Sequence, residues 1–347
     1  MAPGNIAFLG SGETSLAGGR VFEQLARQMN GPLRIAVLET PAGFELNSAQ
    51  VAGRVADFLK TRLQNFNPQI DIVPARKKGS AFSPDDPEIC APLLHANFIF
   101  MGPGSPTYAI RQLQGSLAWE LVRARQRLGA TLVFASAATI AVGAYGLPVY
   151  EIYKVGLDVH SVAGLDFFAD FATPLSIVPH WNNTDGGADV DTSRCFIGMD
   201  RFKQWCSSLP AGQTVIGLDE HTGIIMDFAE RRVQVVGVSS VSLVRECDPR
   251  IYPAGNSFDL DEIGPLALAG ELQTGISAAA WELLESTPPQ AAALEALPPA
   301  EAVRLAEERQ AARARKDWAA SDEYRRQIAA LGWTVQDTPD GPKLVKS

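Results

Sequence analysis

Thr131-Leu132-Val133-Phe134-Ala135-Ser136-Ala137-Ala138 is an apolar run that ends on a serine among tiny neighbours and continues into a small-residue helical stretch. Four more runs of that kind precede it: Ile6-Ala7-Phe8-Leu9, Arg34-Ile35-Ala36-Val37-Leu38, Ile70-Asp71-Ile72-Val73 and Phe98-Ile99-Phe100-Met101. Each has the length of a buried strand, and segments of helical period lie between them. In the helix between the second and third, Val51, Val55, Phe58 and Leu59 share one face. Strands alternating with helices imply right-handed crossovers and a mostly parallel sheet covered on both sides. Residues 214–218, 223–228 and 233–239 then follow closely enough for an antiparallel extension. The expected fold is α/β and doubly wound.

The 347 residues suffice for one large domain or two ordinary ones. With 46% apolar and 20% charged residues, the composition is that of a globular chain. A formal charge of −9 argues against chain-wide attraction to nucleic acid or anionic membrane, though not against a local basic patch. Cys90, Cys195, Cys206 and Cys247 are scattered without a C-x-x-C pair, which reads as reduced structural thiols and no zinc site. The first residues lack a signal peptide's basic stretch and apolar run, and no apolar run is long enough to span a bilayer, so the expected location is cytoplasmic.

Composition shifts at Ser286-Thr287-Pro288-Pro289, and Pro298-Pro299 follows after an alanine-rich stretch. Proline at that density breaks a helix, so 286–299 reads as a linker between a domain over 1–285 and an appendage over 300–347. In the appendage, 301–315 and 317–331 read as two helices. Asp317 is placed to cap the second and Gly332 to end it. Trp333-Thr334-Val335 and Lys343-Leu344-Val345 flank Asp340-Gly341, a hairpin turn signal.

In an open parallel sheet, ligands bind beyond the carboxyl ends of the strands. Gly10-Ser11-Gly12-Glu13-Thr14, after the first strand, lacks both the dinucleotide glycine pattern and a phosphate-loop lysine, and reads as a tight turn. No cofactor is expected. Ser136, between small residues at a strand-to-helix turn, has the setting of a nucleophile elbow. The small neighbours relieve crowding there, and a following helix N-terminus favours an oxyanion. A serine hydroxyl needs a base. Of four histidines, His180 closes the run Leu175-Ser176-Ile177-Val178-Pro179 and opens a polar loop, so it stands at a strand end as Ser136 does. His221, in a polar turn after another strand, is the rival. His95 precedes a strand, and His160 reads as a solvated turn residue.

Taken together, Phe100-Met101-Gly102-Pro103-Gly104-Ser105, Ala135-Ser136-Ala137-Ala138, Pro179-His180-Trp181-Asn182-Asn183 and Ile216-Gly217-Leu218-Asp219-Glu220-His221-Thr222 resemble the dipeptidase E and cyanophycinase family. These are serine peptidases on a class I glutamine-amidotransferase-like fold, and the likeness spans roughly residues 5 to 245. It implies Ser136 as nucleophile and His180 as base. Gly102, Gly104 and Ala137 would lie on the oxyanion side, with Asn182 and Asn183 in the loop that faces substrate. The third member expected by this likeness is an acid between serine and histidine: Glu151, with Asp158 as alternative. The chain departs from the family's elbow, where Phe134 and Ala138 stand in place of glycines. An alanine held at positive φ costs roughly 1 kcal/mol or more. Pro103 also removes an N–H from the oxyanion loop, leaving Gly104 as donor.

The implied activity is a serine hydrolase cleaving a peptide or related amide bond. Esterase or amidase chemistry on a non-peptide substrate uses the same residues. The alternative is a catalytically silent scaffold that binds a small molecule, or tRNA through its tail. Asp185, Asp189 and Asp191 in the loop after His180 favour a cationic or amine-bearing ligand.

The tail carries a second resemblance. Residues 309–318, Ser321-Asp322-Glu323-Tyr324-Arg325, Leu331-Gly332-Trp333 and 337–341 are similar to the C-terminus of cysteinyl-tRNA synthetase, which implies a tRNA-adjacent module over 300–347. Nine basic and eight acidic side chains there give a net +1 and leave −10 for the rest. Arg309, Arg313 and Lys316, at helical spacing, form one expected basic stripe.

Overall fold

The computed structural model describes residues 3–29, 31–267, 274–287, 299–338 and 341–346. The chain divides into two compact units, Met1–Thr287 and Pro288–Ser347.

The large unit is built on an eight-stranded mixed sheet. Its parallel part comprises β1 (Ile6–Leu9), β2 (Arg34–Leu38), β3 (Gln69–Val73), β4 (Phe98–Met101) and β5 (Thr131–Ala135), in the spatial order β1-β5-β4-β2-β3. The runs read as strands are strands, and β1, β4 and β5 are buried along their whole length because helices cover both faces. α1 (Leu16–Arg27), α2 (Ser48–Arg62), the single turn α3 (Pro87–Cys90), α4 (Pro106–Leu113), α5 (Leu117–Arg127) and α6 (Ala137–Ala141) connect them. α2 buries Ala52, Val55 and Leu59, with Phe58 packed at the margin, which is the face expected from the spacing.

After α6, Tyr145–Gly146 (β6) and Val162–Ala163 (β7) form a small ladder, and β8 (Leu175–Val178) leads to α7 (Gly198–Ser208). β9 (Thr214–Leu218), β10 (Thr222–Asp227), β11 (Arg232–Gly237), β12 (Ser240–Arg245), β13 (Asp248–Pro253) and β14 (Ser257–Asp259) follow, then α8 (Ala278–Ser286). β10, β11 and β14 extend the large sheet antiparallel from β1, as expected. β9 does not join them. It lies in a second sheet of order β13-β12-β9-β8, parallel to β8. Strands adjacent in sequence thus divide between two sheets at the turn 219–221, and that division sets the site.

All four cysteines are free. Cys90 and Cys195 are buried, which pushes the Cys90 thiol up to about 12 and the Cys195 thiol upward as well. Cys206 of α7 and Cys247 of the β12–β13 turn bring their sulfurs within 2.6 Å.

The small unit pairs α9 (Ala300–Ala314) with α10 (Trp318–Ala330), followed by β15 (Trp333–Thr338) and β16 (Gly341–Lys346). Asp317 caps α10 by accepting from the Ala320 N–H at 3.1 Å, and Gly332 follows the helix at φ 79°. Ala302, Leu305, Ala306, Ile328, Trp333 and Val335 form its core. The linker residues 288–298 and the turn residue Asp340 lie outside the described residues. The expected basic stripe is not one solvent face. Arg309 is only 4% exposed, and the Arg313 guanidinium lies 6.0 Å from the Trp318 ring centroid. Among the described residues, no helix is long and apolar enough to cross a membrane.

Candidate active site

β5 delivers Ser136 at the carboxyl edge with φ 51° and ψ −117°. A non-glycine residue in that region carries strain of roughly 1–3 kcal/mol, which persists only when its surroundings hold it. Here the Ser136 N–H donates to the Leu9 carbonyl at 3.0 Å. The Ser136 carbonyl accepts from the Thr139 N–H at 3.0 Å and the Thr139 hydroxyl at 2.7 Å. The expected strain at Ala138 is absent. Ala138 sits inside α6 with ordinary helical backbone, and the positive φ of the turn falls on Ser136 itself. Phe134, the other departure, points into the core, where its ring meets Phe8, Phe167 and Trp119. Ala137 opens α6, so its N–H has no acceptor within that helix.

Two loops from the second sheet reach Ser136. His180, at φ 48°, follows β8 by way of Pro179 and is tied to the first-strand loop by donation from its N–H to the Gly10 carbonyl, 3.3 Å. A side chain at position 10 would strike the Asp219 carbonyl oxygen at 2.2 Å, so the glycine there lets the loops after β1 and β9 close on each other. His180 Nε2 is 2.9 Å from Ser136 Oγ. His180 Nδ1 is 2.9 Å from Oε1 of Glu220, which follows β9.

The carboxylate fixes the tautomer. Burial pushes the Glu220 pKa upward, but hydrogen bonds from Asn183 and His180 and the electrostatic influence of the two nearby imidazoles outweigh it, and the net shift is downward. An ionised carboxylate only accepts, so Nδ1 carries the proton and Nε2 offers a lone pair to the Ser136 hydroxyl.

The expectation that Glu151 orients His180 is therefore not met: the acid on His180 is Glu220, after the histidine in sequence. Glu151 bonds the Thr107 hydroxyl instead, at 2.6 Å. Asp158, the alternative acid, is exposed, and its carbonyl is bonded to His160. Asn182 and Asn183, expected to face substrate, both hold Glu220. Asn182 Oδ1 accepts the Glu220 N–H at 2.8 Å, and Asn183 Nδ2 donates to Oε1 at 2.9 Å. Asp219 is anchored by the Ser239 and Ser240 hydroxyls, which leaves its neighbour Glu220 to turn toward His180. Asp-Glu-His was readable as a polar turn. That it reaches His180 followed only from β8 pairing with β9.

The remaining rivals separate by position. His221 is exposed, with its N–H on Ser11 Oγ, and His95 precedes β4 at the opposite edge. Gly104 adopts φ 146° and presses against the Pro41 carbonyl, where any side chain would collide at 2.0 Å. Asp191 accepts from the Ser193 and Met199 N–H groups; the Ser193 hydroxyl first, and then these two bonds, lower its pKa and make it a brace within its own loop.

Comparison with known proteins agrees with this architecture. A solved peptidase from an acI-B1 actinobacterium superposes with a TM-score of 0.60 at 19% identity, over 74% of this chain and 97% of that one. At that identity the likeness is one of fold. Its extent places most of it in the large unit, since the 60 residues of the small unit cannot supply it. Residues 297–342 match the family model of the cysteinyl-tRNA ligase anticodon binding domain. The chain is 57% identical over 49 residues to the cysteine–tRNA ligase of Methanosarcina mazei and 50% identical over 48 residues to that of Chlamydia abortus. It spans about 10% of the length of these relatives. The chain thus joins a large unit with a fold like that of the actinobacterial peptidase to a C-terminal segment similar to that anticodon-binding domain.

Proposed function

We propose that the large unit is a serine-type hydrolase acting on a peptide or related amide bond. Ser136 attacks the carbonyl, His180 takes its proton at Nε2 and returns it to the leaving amine, and Glu220 orients the imidazole and stabilises its charged form. The N–H groups of Ala137 and Gly104 serve the oxyanion. The observation that carries this reading is the continuous line from Ser136 Oγ through His180 to Glu220, with 2.9 Å at each step, on a serine held at positive φ. Of the departures that favoured a catalytically silent scaffold, the strain expected at Ala138 is absent, while Pro103 still leaves Gly104 as the donor on its loop. Labelling by a fluorophosphonate probe tests the reading: wild type reacts at Ser136, and Ser136→Ala does not. A wild-type protein that stays unlabelled overturns it.

The match at 297–342 supports a second, separate role, contact with tRNA by the small unit. It is tested by binding of the full chain to tRNA at graded salt, where phosphate contacts give a steep slope.

A further inference from the structure

The cysteines take no part in the chemistry above, yet two of them meet. Cys206 and Cys247 lie 41 residues apart in sequence, one on a helix and one on a hairpin turn, and their sulfurs are 2.6 Å apart. That is closer than two unbonded sulfurs rest, and about 0.6 Å beyond the S–S bond of a disulfide.

The fold holds both sulfurs on packed elements. α7 buries Phe202 and Trp205 in one core with Val215 of β9 and Val244 of β12, and Cys206 stands at the margin of that core. Cys247 belongs to the two-residue turn Glu246-Cys247, which joins β12 to β13 after the pair Arg245 and Asp248. Both turn residues have positive φ, 49° and 63°, as a type I′ hairpin requires. Asn-Gly is the usual sequence there because glycine takes such a φ without strain, so a cysteine at the second position is strained. Strain of this kind persists where its surroundings fix it, and it recurs at functional sites. What the cysteine gains at this corner is a sulfur set against Cys206. Both sulfurs belong to half-buried residues within reach of solvent, whereas Cys90 and Cys195 are buried.

We propose that Cys206 and Cys247 are a reversible dithiol–disulfide site that reacts with small-molecule disulfides and staples α7 to the β12–β13 hairpin. Cys247 attacks one sulfur of the oxidant as the thiolate, which forms a mixed disulfide and releases one thiolate of the reagent. Cys206 then gives up its proton and attacks the Cys247 sulfur, expelling the second. The protein loses two electrons and two protons, and the oxidant is reduced to two thiols. Burial, and then the hydrogen bond from Cys247, push the Cys206 thiol up to about 12, which leaves the first attack to Cys247. Glu246 and Asp248, exposed on either side of Cys247, favour a cationic oxidant. The link lies at the end of β12 away from Asp219 and Glu220, and it stands or falls apart from the hydrolase reading.

The test follows the sulfurs directly. The full chain is treated with cystamine, freed of excess reagent, denatured, alkylated with N-ethylmaleimide, digested without reductant and weighed by mass spectrometry. The expected product is one peptide pair linked through Cys206 and Cys247, with Cys90 and Cys195 alkylated. The oxidised chain should melt roughly 5–10 °C higher, because the link spans 41 residues of chain, and dithiothreitol should reverse both changes. Cys206→Ser should stop at the mixed disulfide on Cys247 and lose the rise in Tm. A wild-type chain that keeps all its cysteines alkylated, carries only mixed adducts, or links to a second copy overturns the proposal. Those wild-type masses decide it even where the serine variant folds poorly.

Discussion

The two units bring their residues together in different ways. In the small unit, caps, helices and hairpin strands follow one another along fewer than 50 described residues, and each partner lies near in sequence. In the large unit, Ser136, His180 and Glu220 come from three strand ends 44 and 40 residues apart, in two sheets. A contiguous module is written in local chemistry. A site assembled by topology is written in strand pairing, which no short motif reports.

The largest expected effect breaks or sustains the topological site directly. Ser136→Ala should lower kcat/KM at least about 10³-fold with Tm nearly unchanged. Glu220→Gln should lower turnover by about 10²–10⁴-fold, because an amide no longer favours the proton on Nδ1 or the imidazolium. If Glu151→Gln lowers kcat as strongly on every substrate while Glu220→Gln is silent, the pairing of β8 with β9 has been misread as catalytic.

How much of this was legible follows from the residues concerned. β1, β4 and β5 were readable because each is a near-continuous apolar run, β2 and β3 because apolar residues dominate around Arg34 and Asp71, and Ser136 because small residues flank it. His180 was readable as a strand end. Glu220 was not, because Asp219-Glu220-His221 gives three polar candidates, and only the anchoring of Asp219 on Ser239 and Ser240 singles out the middle one. The placement of β9 failed for a related reason: short loops to β10 and β11 imitate a single meander, whereas the sheets part at 219–221. In the tail, helical spacing put Arg309 on the basic stripe, and packing put it inside.

Acid titration sharpens the Glu220 assignment. Its folded pKa lies below its ordinary value, so its contribution to stability is complete above the unfolded value, about 4.3, and is lost as pH falls through the lower folded value. The Tm difference between wild type and Glu220→Gln should hold from neutral pH into the mildly acid range and then shrink. Melts stepped down to about pH 3 check it, and a difference that grows with acid would contradict the depressed pKa.

In the small unit, the exposed cations Arg313, Arg315 and Lys316 are the better test of tRNA contact than the stripe through Arg309. Changing all three to glutamine should flatten the log-log salt slope by about 2–3 if each meets a phosphate. Arg309→Gln should instead lower the stability of this unit, since it empties a buried position. Unchanged salt slopes in the triple variant would leave protein docking as the better role for this module.

The smallest effect concerns the one place where the large unit's site was read from contiguous sequence. A glycine at position 138 belongs to the family's elbow, and if Ala138 carried the turn's strain, Ala138→Gly would relieve it and raise both stability and turnover. The structure assigns positive φ to Ser136 and ordinary helix to Ala138, whose side chain is fully buried. Glycine within a helix loses more backbone entropy than alanine, by roughly 0.5–1 kcal/mol, and here it also forfeits a buried methyl. Ala138→Gly should therefore melt a few degrees lower, with kcat/KM nearly unchanged, as thermal melts alongside initial rates will read. A variant that is more stable and faster would mean that the elbow turns at 138 after all, and the hydrogen bonds that hold Ser136 to Leu9 and Thr139 would then need another account.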